Sequence, residues 1–179
     1  MHADDILHFW FEELRPAQHF AVDAALDETL RTRFGPTWKA ACRCELWPWR
    51  ATPQGRLAEI LVLDQFSRNI HRGTPRAFAQ DALALALAQE LVAGQHDRAL
   101  PPAQRAFAYM PYMHSESLAI HEAALALFNQ PGLENNLSFE LRHRDILVRF
   151  GRYPHRNAVL GRSSTDEERA FLAQPGSSF

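Results

Sequence analysis

Thr52-Pro53-Gln54-Gly55-Arg56-Leu57-Ala58-Glu59-Ile60-Leu61-Val62-Leu63-Asp64-Gln65-Phe66-Ser67-Arg68-Asn69 decides the architecture of this chain. Thr52 offers an N-cap hydroxyl and Pro53 a pre-set first helical position, so a helix starts here. At about 100° per residue, Leu57, Leu61, Asp64 and Arg68 share one face, while Ile60, Val62, Leu63 and Phe66 cover the other directions. A helix that is apolar nearly all round belongs in the centre of a packed domain. Asp64 is then shielded from water and needs a partner, and Arg68, one turn later, is the nearest cation.

Outward from this helix, apolar residues recur at three and four rather than two, and Ala and Leu greatly outnumber Val and Ile. The pattern predicts an all-α chain with helical segments over 4–14, 22–34, 36–46, 53–69, 75–93 and 102–110, then 116–128, 136–150 and 166–172. Gly35-Pro36 is expected to separate two helices and Pro111 to follow the end of another. Ser115 is expected to cap the next helix, and Thr165 with Glu168 forms a capping box for the last. Short connections favour antiparallel helical pairs. With 179 residues, 46% of them apolar, the chain suits one domain, 1–173, followed by a tail, 174–179, expected to fray.

Net charge of -2 speaks against a globally basic nucleic-acid binder. The acidic start Met1-His2-Ala3-Asp4-Asp5 lacks the basic region of a signal peptide, and no apolar run is long enough to span a bilayer. A soluble cytoplasmic protein without membrane partners is the expectation. Cys42 and Cys44 are expected as reduced thiols, since no second pair completes a zinc site. Nucleotide-cofactor fingerprints are absent, so no cofactor is expected.

The chemical signal is arginine. Lys39 is the single lysine, and two segments, 64–73 and 149–157, share the pattern Phe-x-Arg-x-x-His-Arg. Arg68, Arg72, Arg149, Arg152 and Arg156 outnumber Asp64 and Asp145, which sit four residues before Arg68 and Arg149. Two readings follow: internal ion pairs that fix helix register, or a surplus of guanidinium forks that grips an anion. Gln65, Asn69, His155 and Asn157 lie within the same segments and join the candidate ligand-binding set.

Pro111-Tyr112-Met113-His114-Ser115-Glu116 supplies a second candidate. Ser115 and Glu116 are explained by capping and the helix dipole, while His114 is not. His114, Glu116 and His155 are therefore the candidates for acid–base catalysis. Glu140-Leu141-Arg142-His143 has the Glu-x-x-His spacing of di-iron bundles but no second copy, so no metal site is expected. The Arg-rich stretch 142–162 has the composition of a single-strand contact surface, yet its Gly and Pro residues and the negative net charge make nucleic acid a minority reading.

Leu63-Asp64-Gln65-Phe66, Arg68-Asn69, Arg72-Gly73-Thr74-Pro75, Ala77-Phe78 with Asp81, Pro111 with His114-Ser115-Glu116, and Arg149-Phe150-Gly151-Arg152 with Pro154-His155-Arg156-Asn157 together resemble a widespread bacterial family of uncharacterised proteins. Leu160-Gly161-Arg162-Ser163 continues the match. That resemblance implies an all-α, tetratricopeptide-like array and a small cytosolic protein, and carries no established reaction. His71 departs from the family pattern. The combined expectation is a polar cleft in which Arg68, Arg72, Arg152 and Arg156 grip a small anionic ligand or acidic peptide while Asp64 and Asp145 orient them. An enzyme using the same cleft and a helical interaction scaffold are the alternatives, and the sequence sets no oligomeric state.

Overall fold

The computed structural model describes residues 1–177. Its regular elements are all helical among the described residues. In chain order they are α1 (Ala3–His8) with a π turn (Phe9–Glu13), α2 (Ala24–Cys42), α3 (Pro53–Leu61), a π turn (Val62–Phe66), α4 (Ser67–Ile70), α5 (Asp81–Ala93), α6 (Pro102–Met113), α7 (Leu118–Phe128), α8 (Glu134–Phe150) and α9 (Asp166–Leu172). Because α3, its π turn and α4 run on without a break, the elements amount to eight helical rods.

The 53–70 rod is the centre that its apolar circumference requires. Every residue from Leu57 to Ser67 is buried, and the rod packs on α1, α2, α5 and α6. Thr52 Oγ accepts from the Gly55 amide at 3.0 Å, as a helix cap should. Beyond the rod, α5 packs on α6, α6 on α7 and α7 on α8. The main core joins Trp10, Phe34, Phe66, Tyr109 and Phe128, and a smaller cluster of Ile146, Leu147 and Tyr153 seats the carboxy-terminal part.

Four local expectations are corrected. Gly35-Pro36 does not divide two helices: α2 runs straight through. Phe34, Thr37 and Trp38 are buried on either side of an exposed Pro36, so burial holds the helix together while the unpaired turn faces water. Pro111 likewise lies inside α6, which ends only at Met113, and the cap position of α7 is Ser117 rather than Ser115. Thr74-Pro75 opens a single 3₁₀ turn, and the regular helix starts at Asp81. The capping box of α9 forms as expected, with Thr165 and Glu168 exchanging bonds of 2.8 and 3.1 Å. In the expected tail, Ser177 is buried and donates to the Leu172 carbonyl at 3.1 Å; the tail's last two positions, 178–179, lie outside the described residues.

Candidate functional site

Asp64 stands in the π turn of the central rod, where the wider turn changes the angular phase of the helix and sets its carboxylate toward α6. It is 1% exposed, accepts from Gln65 Nε2 at 2.6 Å and His114 Nδ1 at 2.7 Å, and is ion-paired with Arg68 Nη1 at 3.0 Å. Burial alone would raise its carboxyl, but the charge of Arg68 and the hydrogen bonds from His114 and Gln65 outweigh burial and hold it below the ordinary aspartate range. Asp64 is therefore an acceptor only, which assigns the His114 proton to Nδ1 and leaves Nε2 on the ring edge turned away from Asp64. Burial, reinforced by Arg68, pushes His114 down against the opposing pull of Asp64. The imidazole is neutral at neutral pH, an oriented base.

Arg68 continues from Asp64 to Asp81 at the start of α5, reaching both carboxylate oxygens at 2.9 and 3.0 Å. Arg156 approaches Asp81 from the 3₁₀ turn Pro154–Arg156, donating to it at 3.2 Å and to the His114 carbonyl at 3.0 Å. Its guanidinium lies between the Phe78 and Tyr153 rings, 4.7 Å from each centroid, and its buried Nε has no partner among the described residues. Burial and then the charge of Arg68 push this guanidinium down. Arg162 Nη atoms grip Glu116 at 2.6 and 2.9 Å, and Glu116 also accepts from the Tyr153 amide at 2.7 Å. These bonds overcome the upward push of burial and keep Glu116 below the usual glutamate range.

The turn that carries His114 through Glu116 is fixed from behind. Tyr153, fully buried, donates to the Met113 carbonyl at 2.6 Å. His121 Nε2 donates to the Ser115 carbonyl at 2.8 Å, and its Nδ1 lies 2.5 Å from the buried Glu140. Gly151, at φ +68°, reverses the chain after α8 and brings Tyr153 into place.

Several predicted site residues do not gather here. Arg72 leaves the group for Asp27 of α2, at 2.6 Å, with Asn69 Oδ1 as its second acceptor. Asp145 is exposed, and Arg149 pairs with Glu167 at 2.8 Å instead of with it. The helical spacing was right for a pair, but α9 offers Arg149 a carboxylate with better reach. Arg152 is taken by Glu168 at 2.7 and 2.8 Å. Asn157, buried, donates to Glu168 and Ser164 and accepts from Arg162, so it braces the turn. Gln65 serves Asp64, and His155 lies beside the Tyr153 ring at 5.5 Å, with burial lowering it to about 4. The surplus of guanidinium groups inferred from the sequence is consumed by Asp27, Asp81, Glu116, Glu167 and Glu168, none of which the helical-spacing argument counted. The residue missed outright is Asp81. Its signal was its place beside Phe78 in the family resemblance.

The Arg152–Glu168 pair has a measurable pH consequence. Arg152 first, then the Thr165 amide and Asn157, hold the Glu168 carboxyl at about 2. A depressed acid stabilises the folded state above its unfolded pKa of about 4.3 and loses that contribution as pH falls toward the folded value. Between those limits Glu168→Gln is expected to flatten the stability–pH curve measured by denaturant titration, whereas at pH 7 the variant is less stable than the wild type.

A cleft of about 410 Å³ opens in front of His114. Asp81, His114, Glu116 and Arg156 line its polar side; Phe78, Leu85, Pro111 and Leu160 line its apolar side. A second hollow, about 340 Å³, lies between Arg149, Arg152 and the Glu167–Glu168 pair. There each arginine already has its glutamate. No cluster of metal-ligating side chains occurs among the described residues, and no helix is long and apolar enough to cross a membrane among them.

With a TM-score of 0.90, a protein of unknown function from Agrobacterium tumefaciens has a similar solved structure. It is 42% identical, with 96% of each chain covered. None of the curated proteins matches the chain. Residues 6–176 match the profile of a family described as bacterial protein of unknown function, DUF924. An alignment spanning almost the whole chain places the protein in that family: it belongs to DUF924.

Proposed function

We propose that the chain binds a small organic acid in the cleft, with the acidic head at His114 and Arg156 and an apolar body against Phe78, Leu85, Pro111 and Leu160. The observation that carries this reading is the Asp64–His114 pair, buried on its aspartate side and bordering the cleft on the other. A cavity of some hundreds of Å³, mainly apolar with a few convergent polar groups, is the usual form of a ligand site. Arg156 has more N–H donors than acceptors, which favours an anionic head. Arg72, Arg149 and Arg152, away from this cleft, drop out of the ligand set. A cleft of about 410 Å³ has the volume of a small acid rather than of an acidic peptide. Two free thiols agree with a reducing, cytoplasmic setting, and the pairing of successive helices is compatible with a tetratricopeptide-like array.

A panel of butyrate, hexanoate, benzoate and butyl phosphate tests the reading by thermal shift. An acid at one hundred times its Kd should stabilise the wild type by about 2.7 kcal/mol. Ala82 is an exposed residue of α5 at the cleft rim, so Ala82→Trp should fill the cleft, keep the fold and abolish the shift. A wild type indifferent to the whole panel, or an unchanged response in Ala82→Trp, removes the proposal.

The oriented neutral imidazole also supports a catalytic reading, with His114 as general base toward a bound acid ester or phosphate monoester. Glu116 and His155 fit less well as its partners. Glu116 is held ionised by Arg162, and His155 lies beside Tyr153 rather than in the cleft lining. Hydrolysis of butyl phosphate from the same panel, lost in His114→Gln, would make this the leading reading.

A further inference from the structure

The charges around the cleft balance. Asp64, Asp81 and Glu116 face Arg68, Arg156 and Arg162, three against three: Asp64, Arg68, Asp81 and Arg156 form one chain of ion pairs, and Glu116 and Arg162 a separate pair beside it. An acid anion entering this set adds an uncompensated negative charge in a partly buried place, which is costly. Displacing Asp81 from Arg156 would only move the deficit, since Asp81 would still need Arg68. One group at the cleft can supply the missing positive charge. His114 is neutral, holds its Nδ1 proton on Asp64, and has no hydrogen-bond partner on Nε2 among the described residues.

We infer that the cleft takes up an acid as an anion together with one proton, which binds His114 Nε2 and donates from there to the anion. This inference rests on the small-acid reading above. No bond other than N–H is made: the proton comes from solvent, the imidazole becomes imidazolium, and the anion accepts its hydrogen bond.

The groups facing His114 allow it. From the central rod come Asp64 and Arg68, from α5 Asp81, from the turn after α8 Arg156 and His155, and from α8 itself His143; Glu116 belongs to the same turn as His114. Without ligand, burial and Arg68 keep the ring uncharged. A carboxylate or phosphate at Nε2 opposes Arg68 and joins Asp64 in favouring the charged ring. His143 donates Nδ1 to the Phe139 carbonyl, and burial lowers it to about 3, so it is a poor proton acceptor.

Linkage gives the sign. A group whose pKa rises on binding takes up a proton, so affinity falls as pH rises between the free and bound values, by up to tenfold per unit. Titration calorimetry of the wild type with butyrate, hexanoate, benzoate and butyl phosphate at pH 7.5, in two buffers of different ionisation heat, measures the proton directly. The expected result is uptake approaching one proton per ligand, with Kd rising several-fold from pH 7 to pH 8. Carboxylates and phosphate are separate arms, and whichever binds must show the uptake. Binding with no buffer dependence overturns the proton coupling and leaves the cleft reading standing. Binding of nothing in the panel overturns both. His114→Gln should abolish the uptake, with binding weakened; uptake that persists in this variant, with circular dichroism showing it folded, moves the proton elsewhere and sinks the assignment to His114.

Discussion

Asp64→Ala is expected to destabilise the protein by about 3–5 kcal/mol, the range for removing one partner from a buried charge pair. The substitution leaves the His114 Nδ1–H and the Gln65 amide facing an empty, water-poor space and removes one of the two carboxylates paired with Arg68. Arg68 keeps Asp81, which is why the loss stays within this range rather than exceeding it. Urea denaturation reads the effect as a lower midpoint with an unchanged slope. Asp64→Asn retains volume and one acceptor oxygen but not the charge, and should fall between wild type and alanine. A loss below about 1 kcal/mol for the alanine variant would show that the carboxylate is not the hub of the buried network.

Gly55→Ala, at a site chemically bland in itself, should be the second-largest loss. A Cβ at Gly55 would meet the Trp49 carbonyl oxygen at 2.0 Å and its carbon at 2.8 Å, both backbone atoms that cannot rotate away. The turn Trp47–Ala51 must move, and with it Arg50, whose guanidinium grips the buried Glu59 at 2.7 Å through both nitrogens. Alanine's better helix propensity returns about 1 kcal/mol, against an overpacking cost that reaches about 3 kcal/mol. A net loss of about 2 kcal/mol follows, read as a melting temperature several degrees lower. A variant as stable as the wild type would mean that the Trp47–Ala51 turn is free to retreat.

The helices were legible because their signals are local. Thr52-Pro53 and the Thr165–Glu168 box are short-range hydrogen-bond devices, and the 57–70 run can be buried all round only at the centre. The errors fell where burial overrules local chemistry, as at Pro36 and Pro111, each inside a helix held by buried neighbours. The His114 turn was legible as chemistry: the histidine left unexplained by capping is the one that meets Asp64, from fifty positions away. Partner choice was legible for Asp64 and Arg68, which pair at 3.0 Å, and not for the rest. The i, i+4 rule paired Asp145 with Arg149, but ion pairs form with whichever carboxylate the tertiary fold brings near, and Asp27, Asp81 and Glu168 arrive from other helices. The echoed Phe-x-Arg-x-x-His-Arg pattern has no common geometry. His71 lies tilted against Trp38, ring centroids 4.4 Å apart, whereas His155 sits by Tyr153.

The mutual neutralisation of carboxylate and guanidinium around the cleft also shapes how a visitor would arrive. Closely matched opposite charges cancel within a few ångströms, so little potential extends into solvent beyond the Debye distance of about 8 Å at physiological ionic strength. Encounter is then governed by diffusion and by the fit of the apolar wall, with no long-range electrostatic funnel to hasten it.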